Sequence, residues 1–266
     1  MGEKPEYRIE PIPRLRRFAT DAGYLGRRRH MVHALIEVDI TDARDCIRAY
    51  ERNFGEKLSF TAFVIFCLSR AIGEHPHAHA YRDWRNRLVI YEDINITSMF
   101  EVEVDARKIP TVHVFRATNR KSFLQIHHEL RDFQNQPHST GEFRFNRWFL
   151  SMPAFLRRAF YWVVMRVPQS FRENSSPVMV TAVGMFGEGG GWAVTMPNFT
   201  LNIAVGGISL KPWVCGGVIA IREILDVTVS IDHDIIDGAP AARFVHSFRT
   251  HLEAAHGLKD LTASVE

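Results

Sequence analysis

The last third of the chain holds three apolar runs, "PVMVTAV", "FTLNIAVGGI" and "VIAIREILDVTVSI", with "VCGG" between the last two. Runs this rich in β-branched residues and bounded by glycine turns read as strands of one sheet. Near the other end, "HMVHALIEVDI" adds a strand in which Val32, Ala34, Ile36, Val38 and Ile40 alternate with more polar residues, as on a half-buried strand. A sheet of this extent needs helices to cover it.

The helix signals lie between those ends. Asp42 is expected to cap a helix that runs through Asn53 and stops at Gly55, and Ser59 to cap "FTAFVIFCLSRAIGEH", stopped by Pro76. The apolar surface of the second helix is wide enough for a core helix packed against a sheet. "LVIYEDINITSMFEVEV" reads as extended and "TVHVFRA" as a strand, and Ser122 opens the amphipathic "FLQIHHELRDF". Pro240 falls in the first turn of a closing helix that ends at Gly257. Helices and strands do not alternate regularly, so the class expected is α+β.

With 266 residues, 46% of them hydrophobic, the chain can bury a substantial core. No repeat or Gly/Ser/Pro-rich linker divides it, so a single domain over residues 1–266 is expected, with residues 1–15 as an N-terminal arm. The formal net charge of +3 gives no field that would make nucleic acid a main partner. Cys46, Cys67 and Cys215 have apolar neighbours and form no Cys-x-x-Cys pair, so they read as reduced thiols of a cytoplasmic protein, with no metal site among them. Neither a secretory signal nor a spanning helix is expected. The segment Phe143–Phe171 is aromatic and arginine-rich, and two readings stay open for it: a helix packed on the protein's own surface, or a contact with a membrane or a partner.

Chemistry concentrates in "VTVSIDHDIIDGAPAARF". His233 emerges where the strand carrying Val227, Val229 and Ile231 ends, followed by Asp237 and by Gly238, which permits a sharp turn before the helix. An imidazole titrates near neutral pH and suits a general base, provided that a backbone carbonyl or one of the nearby aspartates fixes its tautomer. On spacing alone, a solvated surface histidine is the competing reading.

The stretch "SIDHDIIDGAPAARF" closely resembles the signature that closes the catalytic domain of the dihydrolipoamide acyltransferases of 2-oxoacid dehydrogenase complexes. "MVTAVGMFG", "MPNFTLNIAVGGI", "LSFTAFVIFCLSRAIGEHP" and "IEVDIT" resemble further segments of that family, and the His-x-x-x-Asp-Gly core is shared with chloramphenicol acetyltransferases. The resemblance implies a two-layer sandwich of a mixed sheet with helices on one face. It further implies a homotrimer, or a larger assembly of trimers, with active sites between subunits, and acyl transfer from a thioester. Carried over, His233 is the general base, and Thr181 stands where the family has a serine whose hydroxyl binds the oxyanion. Asp237 is structural and pairs with Arg17, or with the adjacent Arg16, while Gly238 shapes the loop. Coenzyme A or lipoamide enters as substrate, not as a covalently bound cofactor.

No lipoyl or subunit-binding domain is read ahead of the core, so the expectation is a free-standing enzyme that uses acyl-coenzyme A and a small thiol or hydroxyl acceptor. A lipoamide acyltransferase acting with a separate lipoyl protein is one alternative. A trimeric scaffold without turnover, docking through Trp148 to Phe171, is another. Residues 143–176 are longer and more apolar than the family's connection and read as an insertion. The family commonly has arginine where this chain has Asp234, and neither Asp232 nor Asp234 has an assigned role.

Overall fold

Backbone pairing follows the apolar pattern. In chain order the elements are α1 (Arg16–Gly26), β1 (Met31–Asp39), α2 (Thr41–Phe54), α3 (Phe60–Glu74), β2 (Tyr81–Arg82), β3 (Leu88–Val89), β4 (Ile96–Val104), β5 (Arg107–Phe115) and α4 (Phe123–Asn135). They continue with α5 (Ala154–Arg166), α6 (Pro168–Asn174), β6 (Val178–Ala182), β7 (Leu201–Cys215), β8 (Val218–Asp232), α7 (Gly238–Glu253) and α8 (Lys259–Ala263). The computed structural model describes residues 8, 10–12, 16–104, 107–135, 149, 151–182 and 189–263.

Gly216 and Gly217, at φ 58° and 88°, turn β7 into β8 in the left-handed conformation that glycine adopts without steric cost. β1 pairs antiparallel along the other side of β8, with Met31 opposite Asp232. β6 lies parallel to both β7 and β4, and β5 closes the far edge antiparallel to β4. The result is a six-stranded mixed sheet in the order β1-β8-β7-β6-β4-β5.

One face of this sheet carries the core. Val38, Val180, Ile203, Val227 and Val229 meet Phe63 and Leu68 of α3 and Phe244 and Phe248 of α7, all buried. α3 lies centrally, packed against α4 and α7, which is why its residues from Ala62 to Ser69 are buried on every side. Ser59 caps it as expected, its Oγ accepting the Ala62 N–H at 3.3 Å, a bond worth about 1 kcal/mol. Asp42 does not cap α2. The helix starts two residues earlier than such a cap would set, at Thr41, and the Asp39 carboxylate accepts the Thr41 N–H and hydroxyl at 3.0 and 2.7 Å, while Asp42 turns to Arg222. α7 holds Pro240 in its first turn and ends at Glu253, and Gly257, at φ 79°, shapes the turn beyond.

The opposite face is polar where it is buried: Asn202, Thr228, Ser230 and Asp232 alternate with the core residues. The stretch after Gly189 crosses this face, the Gly191 N–H donating to Asp226 and the Trp192 ring N–H to the Ile36 carbonyl. A bulge between Val205 and Ile208 receives it. A Cβ on Gly206 would collide with the Gly191 carbonyl oxygen, and one on Gly207 with that of Gly189.

α5 belongs to the segment that the sequence left open. Arg157, 5% exposed, donates to Asp21 of α1 at 2.7 Å, and Arg158 reaches the same carboxylate at 3.1 Å, so one side of α5 packs on the protein itself. Phe155, Phe160, Trp162 and Val163 stay exposed on the other side. Residues 143–148 of that segment lie outside the described residues, and no described helix is long and apolar enough to cross a membrane.

Candidate active site

Because Met31 faces Asp232 across an antiparallel pair, the residues just before β1 must lie beside those just after β8. Arg29 donates to Asp232 Oδ2 at 2.7 Å, and His30 Nδ1 lies 2.9 Å from Asp234 Oδ1. The His30 carbonyl accepts the His233 N–H at 2.8 Å. Asp232, 4% exposed, also accepts the Asp234 N–H at 3.2 Å, and Arg82 stands 3.8 Å from the second Asp234 oxygen. A buried carboxylate must be satisfied by such partners, and here they clamp the loop that carries His233. The two aspartates without a role in the sequence are thus its anchors. The signal was the "RRRH" run ahead of β1, which becomes informative only once β1 is known to pair with β8.

His233 is exposed at the rim of a groove of about 460 Å³ between β1 and α7, walled by Val32, Ala34, Val229, Ile231 and Ala241. Among the described residues, no hydrogen bond reaches its ring. The expectation that a nearby aspartate holds its tautomer is therefore not met within one chain, since Asp232 and Asp234 are committed to Arg29, His30 and Arg82. Asp237 accepts the Ala241 N–H through its backbone carbonyl at 3.0 Å, and its side chain makes no capping bond. Among the described residues Asp237 makes no ion pair; Arg16 and Arg17, the partners that the resemblance implies, lie in the first turn of α1, and the arginines beside this loop are Arg29 and Arg82. Gly238 opens α7 without a left-handed φ, and a Cβ there would meet open space, so the turn does not require glycine. It lines the groove instead.

Thr181 lies half-buried on β6, beside Ala204 of β7, and Ala204 in turn pairs with Thr228 of β8. Thr181 is thus level with Thr228, whereas His233 follows the end of β8. At ~3.3 Å per residue along a strand and ~4.8 Å between strands, the two side chains are offset by roughly 16 Å along the sheet and two strand spacings across it. One chain cannot bring both to one carbonyl. The Gly-Met-Phe-Gly turn after Thr181 lies outside the described residues.

One cluster of ligand-type atoms occurs elsewhere: Glu56, His127 and His128. His127 Nδ1 accepts the Ser59 N–H at 3.0 Å, which puts the ring proton on Nε2, facing Glu56 at 2.9 Å. A proton there occupies the position that a metal would need, and the group reads as a hydrogen-bonded brace on the start of α3.

Among solved structures, the dihydrolipoamide acetyltransferase of Azotobacter vinelandii superposes with a TM-score of 0.69 at 17% identity, covering 97% of this chain and 99% of that one. A chloramphenicol acetyltransferase superposes at 0.51 and 15%, covering 92% and 98%. Both likenesses establish the two-layer fold. In sequence, the dihydrolipoyllysine-residue acetyltransferase component of the pyruvate dehydrogenase complex of Rickettsia bellii (strain RML369-C) is 22% identical over 94% of this chain and 53% of its own length. The chain therefore spans about half the length of such curated relatives. The model of the family described as 2-oxoacid dehydrogenases acyltransferase (catalytic domain) matches residues 27–141 and 171–259, leaving α5 in the unmatched stretch between. With the match covering the sheet, the helices of its core face and the His233 loop, the chain belongs to the 2-oxoacid dehydrogenase acyltransferase catalytic-domain family.

Proposed function

We propose that the chain transfers an acyl group from a thioester, acyl-coenzyme A, to a thiol or hydroxyl acceptor, with His233 as general base and Thr181 of a second copy as oxyanion donor. The observation that carries this reading is the position of His233, an exposed imidazole at the rim of an apolar groove on a strand end clamped from behind. His233 takes the proton of the acceptor as its sulfur or oxygen attacks the thioester carbonyl. The carbonyl oxygen becomes an oxyanion that accepts a hydrogen bond from the Thr181 hydroxyl. Collapse expels the donor thiolate, which recovers the proton from His233. A positioned base contributes roughly 10²–10⁴-fold and one oxyanion donor roughly 10²–10³-fold. The offset of Thr181 and His233 within one chain supports a site completed by a neighbouring copy, in the trimer that the family resemblance implies. Gly238 lines the groove at that junction, and Asp237 stands next to it at the start of α7.

A second reading has dihydrolipoamide as acceptor, presented by a lipoyl-bearing protein, and the names of the curated relatives favour it. One assay separates the readings: purified chain with a panel of acyl-coenzyme A esters against dihydrolipoamide, small thiols and small alcohols, read as coenzyme A release. Release with simple acceptors supports the first, and release with dihydrolipoamide alone supports the second. No release above that of a His233→Ala variant with any pair overturns both.

A further inference from the structure

Two guanidiniums stand beside the His233 loop, and a third, from the stretch that the family model does not match, is tied through its backbone to the β2–β3 turn next to Arg82. Arg29 is committed to Asp232 at 2.7 Å, and Arg82 stands 3.8 Å from Asp234 with 41% of its side chain exposed. The third is Arg166, the last residue of α5, fixed there by the Trp84 N–H, which donates to its carbonyl at 3.3 Å. Its guanidinium lies 6.0 Å from the Trp162 ring and, among the described residues, has no carboxylate within ion-pair distance. Burial first, and then repulsion from Arg82 and Arg29, lower its pKa. Asp83 offsets only the smallest part of this, and both of its oxygens are bonded to Arg87 and to the N–H groups of Arg85 and Arg87. Positive charge is thus gathered at the edge of the site without a full complement of acids, in a geometry whose planar N–H donors match carboxylate and phosphate oxygens.

We propose that Arg166 and Arg82 form a subsite for an oxyanion, a carboxylate or phosphate group carried by a small molecule, beside the loop that holds His233. Insofar as that molecule is a substrate, the proposal rests on the acyl-transfer reading above. Arg82 lies within the residues that the family model matches and Arg166 outside them, and the subsite gives the chain a means of selecting an anionic acceptor or acyl group.

Binding can be read without turnover. Trp162 stands 6.0 Å from the Arg166 guanidinium, so the intrinsic fluorescence of the full chain is titrated with sodium succinate and, separately, with inorganic phosphate at constant ionic strength. The expected result is saturation by at least one of them, with the midpoint raised about tenfold in Arg166→Gln and in Arg82→Gln, the scale of one lost charge-assisted contact. Arg52→Gln, on α2, controls for general loss of charge and is expected to titrate as the parent. Saturation by succinate alone assigns a carboxylate ligand, by phosphate alone a phosphate, and by both an oxyanion site without preference. No saturation in the parent, or equal midpoints in the parent and Arg166→Gln, overturns the proposal. A chain that binds the anion but transfers no acyl group overturns the acyl-transfer reading and leaves the subsite standing.

Discussion

Arg29 and Asp232, far apart in sequence, pair at 2.7 Å and tie the entry of β1 to the exit of β8 directly behind His233. Asp232 is almost wholly buried, so removing Arg29 strands a carboxylate in the sheet. Arg29→Ala is expected to lower the unfolding free energy by about 2 kcal/mol in urea titrations, as for a partly buried pair broken from one side. Asp232→Asn, which keeps the volume and loses the charge, is expected to cost less stability while still lowering acyl transfer. Variants that match the parent in both readouts would show that the clamp does not hold the loop.

Thr181 offers a graded test. Thr181→Ser retains the hydroxyl and is expected to stay within severalfold of the parent, whereas Thr181→Ala loses roughly 10²–10³-fold in kcat. Mixing denatured His233→Ala and Thr181→Ala chains and refolding them together is expected to restore activity to roughly a quarter of the parent's, the share of junctions with both groups under random assembly in a ring. No restoration would place both groups in one chain's site or remove Thr181 from it.

His79 sets a pH dependence of stability. It is buried, its Nε2 accepts the Asn95 N–H at 3.2 Å, and burial pushes its pKa down to about 4 from an ordinary 6.5. Between pH 6.5 and 4 the unfolded chain takes up a proton that the folded chain refuses, so stability from this group falls with pH across that window and is flat below it. The loss is on the order of 3 kcal/mol. His79→Asn, whose amide oxygen can accept the same N–H, is expected to flatten the slope of urea midpoints measured from pH 7 to 4. An unchanged slope would assign it to other groups.

Gly206 tests the crossing on the polar face. Gly206→Ala drives a methyl into the Gly191 carbonyl and is expected to cost about 2 kcal/mol, the scale of overpacking against backbone. Gly238→Ala, which meets open space, is expected to fold as the parent does while narrowing the groove beside His233. Circular dichroism melts of the two variants check the contrast.

Much of this frame was legible from local chemistry. The Gly216–Gly217 turn, the Ser59 cap, the first-turn Pro240 and the alternation of β1 each act over a few residues, so the sequence displays them directly. The anchors of the His233 loop were not legible, because Arg29, Arg82 and Asp234 become neighbours only through sheet register and the placement of β2. Spacing before a strand suggests which arginine is near, but the strand's partner decides that Arg29 reaches Asp232. Asp42 misled differently, since the helix begins before it: the Arg44 N–H goes to the Ile40 carbonyl, and Asp39, closer to the end of β1, takes the Thr41 N–H.

The height difference between Thr181 and His233 also has a kinetic meaning. A paired strand cannot slide by half its length without breaking its ladder, so no motion short of unfolding closes that gap within one chain. Turnover that needs both groups then depends on chain concentration as well as on substrate. Its specific activity would fall on dilution below the dissociation constant of the assembly, which makes assembly itself a control on rate.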